Sequence, residues 1–172
     1  LRKIILNLAI TLDGYIEGPN GEYDWCFTDQ DYGMTPFLAQ TDAIFFGRKS
    51  FELMRREDPG AFKDKKHYVF TRSQSYKAGN ATIMRGDIKS EVNKIVQSAG
   101  KDIWLFGGAE LTAAFLELNL IDEFMLAVHP ILLGGGKPLF QDTGQQIELQ
   151  MTDCKTYSSG LVQLFYSVLK RG

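Results

Sequence analysis

Apolar residues occur in short unbroken runs, separated by stretches in which they recur at helical spacing. Residues 3–10 are almost continuously apolar and rich in branched side chains, the pattern of a central strand covered on both faces. Similar runs at residues 43–46, 66–71, 81–84, 102–106 and 122–128 predict five more strands. Between them, residues 31–40 predict a short helix anchored by Phe37 and Leu38, and residues 48–55 a second. Ile88, Val92, Ile95, Val96 and Ala99 fall on one helical face, with Asp87 as the expected N-cap and Gly100 as the expected C-cap. Gly107-Gly108 turn the next strand into a helix with Leu111, Phe115 and Leu118 along one side. Near the end, residues 147–155 and 161–169 flank Ser158-Ser159-Gly160 and read as a β-hairpin. The loop at residues 17–24 and the Gly134-Gly135-Gly136 run, expected as a flexible crossover, complete the pattern.

Strands alternating with helices and closing on a hairpin imply an α/β fold. Its sheet is mostly parallel, with helices on both faces and an antiparallel edge. There is no internal repeat, low-complexity tract or linker, so residues 1–172 are expected to form one domain.

Composition narrows the function classes. Hydrophobic residues at 44% and charged residues at 23% are ordinary for a globular chain. At this length roughly 70% of the unfolded surface is buried, so no disulfide or metal staple is required. A formal net charge of −2 disfavours nonspecific nucleic-acid binding. Cys26 and Cys154 do not make a disulfide framework, and with His67 and His129 they lack the spacing of a zinc site. No run approaches the ~20 apolar residues of a membrane span, and no signal-peptide pattern opens the chain. The cytoplasm is the expected compartment.

Candidate chemistry gathers at three strand ends, where ligands bind in open α/β sheets. In the first, Gly47 permits close backbone approach, and Arg48, Lys49 and Ser50 open a helix whose free N–H groups suit a phosphate. In the second, Thr71-Arg72-Ser73 offers hydroxyls and a guanidinium fit for a ribose 2′-phosphate. In the third, Phe106-Gly107-Gly108-Ala109-Glu110-Leu111 places two glycines before a helix start, as a pyrophosphate requires. Each alone is equally a plain turn. None is the G-x-G-x-x-G of a Rossmann domain or a P-loop.

In this order, Asp13-Gly14-Tyr15-Ile16, Gly47-Arg48 with Ser50-Phe51-Glu52, Thr71-Arg72-Ser73 and Gly107-Gly108 resemble the dihydrofolate reductase superfamily. Ile121-Asp122-Glu123-Phe124 and the stretch from His129-Pro130 through Gly134-Gly135-Gly136-Lys137-Pro138-Leu139-Phe140 are closest to one branch. That branch is the C-terminal reductase domain of the bifunctional deaminase-reductase of riboflavin biosynthesis. The resemblance implies a three-layer dihydrofolate reductase-like fold and hydride transfer from NADPH to a small pteridine- or pyrimidine-like heterocycle. It also implies a homodimer. Ala9 and residues 11–16 would line the nicotinamide, with Asp13, Gly14, Ile16 and Trp25 toward the substrate. Gly47, Arg48, Lys49 and Ser50 would hold phosphates, and residues 106–111 the pyrophosphate. Thr71, Arg72, Ser73 and Arg85 would meet the ribose phosphate. Asp31 falls near the carboxylate of true dihydrofolate reductases, as a general acid or an anchor for a substrate amine, or else as a solvated helix-start residue. Asp13 is the second candidate carboxylate, or else a bonding group for loop N–H donors. Trp25 is a pocket wall or a core residue, and His129 a structural residue or a proton donor.

No H-x-E…P-C-x-x-C deaminase signature is present. One alternative is a stand-alone 5-amino-6-(5-phosphoribosylamino)uracil reductase, which needs basic residues for its substrate, whereas residues 18–25 are acidic and aromatic. The other is a catalytically silent NADP-binding module.

Overall fold

The computed structural model describes residues 1–170. The chain order is β1 (Ile4–Thr11), β2 (Tyr15–Glu17), α1 (Met34–Gln40), β3 (Thr41–Gly47), α2 (Arg48–Glu57), β4 (Lys66–Phe70) and β5 (Thr82–Met84). There follow α3 (Ile88–Gln97), β6 (Asp102–Gly107), α4 (Ala109–Glu117), β7 (Glu123–His129), β8 (Lys137–Pro138), β9 (Leu149–Thr156) and β10 (Val162–Val168). Eight strands form one sheet in the order β5-β4-β3-β6-β1-β7-β10-β9. β1 lies at its centre, parallel to both β6 and β7, and β10 runs antiparallel between β7 and β9.

The continuous apolar runs arise because helices cover both faces. Successive strand residues point to opposite sides. Ile4, Leu6, Phe45, Ile103 and Leu105 pack with Val92 of α3 and Phe115 of α4. Ile5, Ile44, Phe46 and Trp104 pack with Phe37 of α1 and with Phe51 and Met54 of α2. Each large side chain buried this way contributes about 1.5–3 kcal/mol, so both faces of β1, β3 and β6 are committed.

Three details depart from the expectation. α1 begins at Met34, not residue 31, because Gly33 adopts a left-handed conformation (φ 76) that breaks the helix before it. α3 is capped by Asp87, whose carboxylate accepts the Ser90 N–H at 2.8 Å, but it ends at Gln97 with Ser98 as C-cap. Gly100 instead gives room to the buried Arg2, which pairs with Asp42. The triple-glycine run is also no free crossover. Asp13 accepts the N–H groups of Leu133 and Gly134, and β8 pairs with β2 in a small antiparallel sheet. Both strands of that sheet are too short to show alternation.

Candidate functional site

The crossovers from β1 and β3 carry α1 and α2 onto one face, while those into β6 and β7 carry α3 and α4 onto the other. β3 and β6 are neighbours in the sheet, yet the helices that follow them leave on opposite faces. The space beyond their carboxyl ends, between the two helix starts, is where open α/β sheets place a ligand crevice.

Both strands end in glycine there. A Cβ on Gly47 would lie 3.4 Å from the Gly107 carbonyl oxygen and 3.5 Å from the Gly108 nitrogen, and one on Gly108 would lie 3.4 Å from Ser50 Oγ. The starts of α2 and α4 thus adjoin. Neither has a side-chain cap, in contrast to α3, which Asp87 caps. Their first N–H groups and helix dipoles remain available to an anion. The Gly107–Gly108 peptide is cis.

The basic residues flank this crevice. Gly47 is in register with Phe70 of β4, so the loop after β4 runs alongside it. Arg48 pairs with Glu52 at 3.0 Å and lies 4.8 Å from the centre of the Tyr76 ring. Lys49 is exposed and Ser50 half-buried. Thr71 Oγ1 accepts the Ser73 N–H at 3.1 Å, shaping the turn that presents Arg72. The exposed Arg72 guanidinium makes no hydrogen bond or ion pair among the described residues, which leaves it free for a ligand. Arg85 is already employed: it donates to the carbonyls of Ser73 (2.8 Å) and Tyr76 (2.6 Å), pinning the loop.

Within residues 106–111 the side chains divide. Phe106 packs on Phe46 and Trp104, and Ala109 and Leu111 are buried, so these three offer the crevice only backbone. Glu110 is exposed in the first turn of α4.

The residues expected beside the substrate lie around the ends of β1 and β7. Ala9 is half-buried on β1, in register with Ala127, and Thr11 is level with His129. Gly14 turns the chain with φ 89, and Ile16 packs into the core on the α3–α4 side. Asp13 accepts from Thr11 Oγ1 (2.6 Å), Gly134 N (2.9 Å) and Leu133 N (3.2 Å). The Thr11 hydroxyl first, and then the Gly134 and Leu133 N–H groups, hold its carboxyl below the usual carboxylate range. Asp31, exposed at the approach to α1, accepts the Thr35 N–H and hydroxyl, which lower its pKa likewise. Both carboxylates are ionised at neutral pH.

Trp25 is 9% exposed; its indole donates to the Glu22 carbonyl, and its ring meets His129 edge-on at 5.2 Å. His129 is 2% exposed. Its Nε2 accepts the Phe27 N–H at 3.1 Å and its Nδ1 lies 2.9 Å from the Ala127 carbonyl oxygen, so both ring nitrogens serve structure.

Several organising residues carry no signal in the sequence pattern. Tyr76 sits in an irregular loop, and Phe27 bonds His129 through its backbone. Gln163, 3% exposed, joins the Tyr32 carbonyl to the Tyr157 hydroxyl and so ties the approach to α1 to the terminal hairpin. A polar residue at an inward strand position was the one available hint.

Residues 2–163 match the family model of the RibD C-terminal domain. The uncharacterized protein YyaP of Bacillus subtilis strain 168 is 50% identical over 177 residues, covering 96% of this chain and 94% of that protein. A protein of Shewanella sp. PV-4, provisionally described as a riboflavin biosynthesis protein, superposes with a TM-score of 0.88 at 23% identity, over 98% of this chain and 99% of that one. Dihydrofolate reductase from Enterococcus faecalis, solved with NADP(H), gives a TM-score of 0.72 at 16% identity, over 98% and 97% of the two chains.

Proposed function

This chain belongs to the RibD C-terminal domain family, and we propose on that footing that it is an NADPH-dependent reductase of a small pteridine- or pyrimidine-like heterocycle. The observation that carries the reading is the meeting of two glycine strand ends and two uncapped helix starts at the switch between β3 and β6. A dinucleotide fits what lies there. Backbone without Cβ would receive its pyrophosphate at Gly47, Gly107 and Gly108, supported by the N–H groups of residues 109–111. Arg48, Lys49 and Ser50 would flank the phosphates. Thr71, Ser73 and the free guanidinium of Arg72 would take the ribose phosphate, with Arg85 holding their loop. NADPH, when bound, supplies the hydride chemistry; the protein supplies position and exclusion of water.

The candidate carboxylates then have orienting roles. Being ionised, Asp31 suits the anchoring of a substrate amine better than the donation of a proton. Asp13 is a positioning residue that fixes residues 12–16 beside Ala9. Trp25, held by His129, walls the substrate end with one edge. The commitment of Asp13, Asp31 and His129 to structural bonds also favours a second reading, a silent NADP-binding module. The protein is further proposed to act in the cytoplasm as a homodimer. Edge strand β9, exposed along its length with Leu149 and Met151 on it, is the surface that would pair, and sedimentation at several concentrations tests this.

The deciding measurement is a fluorescence titration with NADPH and NADH, repeated on Arg72→Ala, followed by NADPH oxidation with pterins and pyrimidines. Micromolar NADPH affinity, weaker NADH binding and an NADPH-selective loss in the variant are expected. No binding of either nucleotide refutes the reading. Binding without turnover of any heterocycle selects the silent module.

A further inference from the structure

The central sheet parts along one seam. β1 and β6 pair from Ile4 with Ile103 to Leu6 with Leu105 and no further. Beyond that point β6 stays with β3 as far as Gly107, while β1 stays with β7 as far as Thr11. Asn7 is the first residue of β1 past the parting. Its carbonyl accepts the Trp104 indole N–H at 2.9 Å, so a β6 side chain bridges the place where the backbone ladder ends.

The Asn7 side chain lies on the α1–α2 face. Strand residues two apart share a face, and Ile5 packs in the group that holds Phe37 and Phe51. Met125, level with Asn7 on β7, packs against the same group. Along this face Ile5 is fully buried, Asn7 is 6% exposed and Ala9 is half-buried, so the helical cover thins toward the strand end. The other buried polar side chains, those of Arg2, Thr11, Thr41, Thr112, His129 and Gln163, all have hydrogen-bond partners. The Asn7 amide has none among the described residues. No fully enclosed side-chain nitrogen or oxygen among those residues lacks a partner, so the amide atoms of Asn7 reach the opening and are not sealed beneath it. A buried amide without a partner is a cost to folding, and a ligand that completes its hydrogen bonds accounts for it.

The chemistry of that ligand follows from the amide. It offers one acceptor and one donor group side by side in a plane, the match for a ring edge where a carbonyl stands beside an N–H. A second wall stands over the same face. Gln163 lies in the row Ala9, Ala127, Gln163 across β1, β7 and β10, and donates to the Tyr32 carbonyl. It thereby fixes over this face the segment that carries Asp31.

We propose, building on the reductase reading, that Asn7 is a specificity-determining residue whose amide pairs at two points with a carbonyl and an adjacent N–H on the edge of the substrate ring. A ring without that N–H leaves the amide half-paired and is rejected.

The test uses protein first shown to bind NADPH and then saturated with NADP+, so that no turnover occurs. Two probes are titrated by calorimetry: lumazine, and lumazine methylated at both of its ring N–H positions, which keeps the carbonyls but lacks the donors. Lumazine is expected to bind at least ~10-fold tighter than its dimethyl derivative. Asn7→Leu should bring the two affinities together by weakening lumazine, with NADPH affinity unchanged. Its melting temperature should equal or exceed that of the parent, because no protein hydrogen bond is lost. Asn7→Ser, which is smaller, gives the same readout where leucine overfills the site. A lowered melting temperature in both variants makes the amide structural and overturns the inference. So does a discrimination that survives in the variants, a loss of NADPH affinity in them, or binding of neither probe, while the parent's NADPH result leaves the reductase reading standing. Absence of NADPH binding to the parent overturns both.

Discussion

Gly47→Ala separates the cradle from the fold, because the two respond in opposite directions. Gly47 has φ −68 and ψ 154, extended backbone that alanine adopts without strain. The added methyl would sit 3.4 Å from the Gly107 oxygen, 3.5 Å from the Gly108 nitrogen and 3.8 Å from Leu111 Cβ, at the near edge of ordinary contact. Removing a glycine from the unfolded chain at such a position stabilises by about 0.4–1 kcal/mol. With an unfolding entropy of roughly 2.1 cal/mol/K per residue, that raises the melting temperature by about 1–3 °C. The same methyl occupies the space in which a phosphate oxygen would approach the two helix starts. Loss of one charge-assisted hydrogen bond costs about 1.5–3 kcal/mol, so the Kd for NADPH should rise roughly 10- to 100-fold. Thermal melts by circular dichroism and an NADPH fluorescence titration on one preparation give both numbers. A raised melting temperature with unchanged Kd would refute the crevice as the cofactor site. A fall of more than about 3 °C would refute the packing described around Gly47.

Four further outcomes are expected. Arg72→Ala should weaken NADPH at least ~10-fold, leave NADH unchanged, and hold stability within about 0.5 kcal/mol, read by paired titrations and melts. Gly136→Ala places a methyl against the Glu17 carbonyl at φ 137, a backbone region nearly exclusive to glycine; it should cost about 1–3 kcal/mol, seen as an earlier urea midpoint. Burial, reinforced by Asp24, pushes the Cys26 thiol up to about 11, so at pH 8 a thiol reagent should modify the exposed Cys154 quickly and Cys26 only on unfolding. Asp13 is depressed in the folded state, so its contribution is present above the unfolded value of about 4 and is lost as pH falls through the folded value. The destabilisation by Asp13→Asn should therefore be full at pH 7 and shrink as pH falls below the unfolded value and through the lowered folded one, and a difference constant with pH would refute it.

What could be read from the chain, and what could not, follows from the range of the interactions involved. β1, β3 and β6 were legible because helices cover both faces, and that alone makes a strand apolar at every position. The Asp87 cap was legible because its hydrogen bond closes within three residues. The glycine ends of β3 and β6 stood out singly, but their meeting depends on a sheet order that inserts β6 between β3 and β1, a tertiary fact with no local trace. The same limit explains the triple-glycine run. It looked free because its partners, Asp13 and Glu17, lie more than a hundred residues away. His129, at a strand end before Pro130, reads as structural or as a proton donor, and the bond that engages its Nε2, from the Phe27 N–H, spans 102 residues and leaves no local trace.

Charge behaves differently. The acidic stretch before Arg48 and the basic stretch after it need no contact to be seen, yet their effect depends on topology. Successive strands β3, β4 and β5 step outward from the crevice, and the chain returns to place β6 against β3. That return brings Gly47 and Gly108 together, with Arg48 and Lys49 opening the helix that starts there. The fold therefore determines where a dinucleotide could lie, while the basic side chains at the strand ends bear on which end would receive its phosphates.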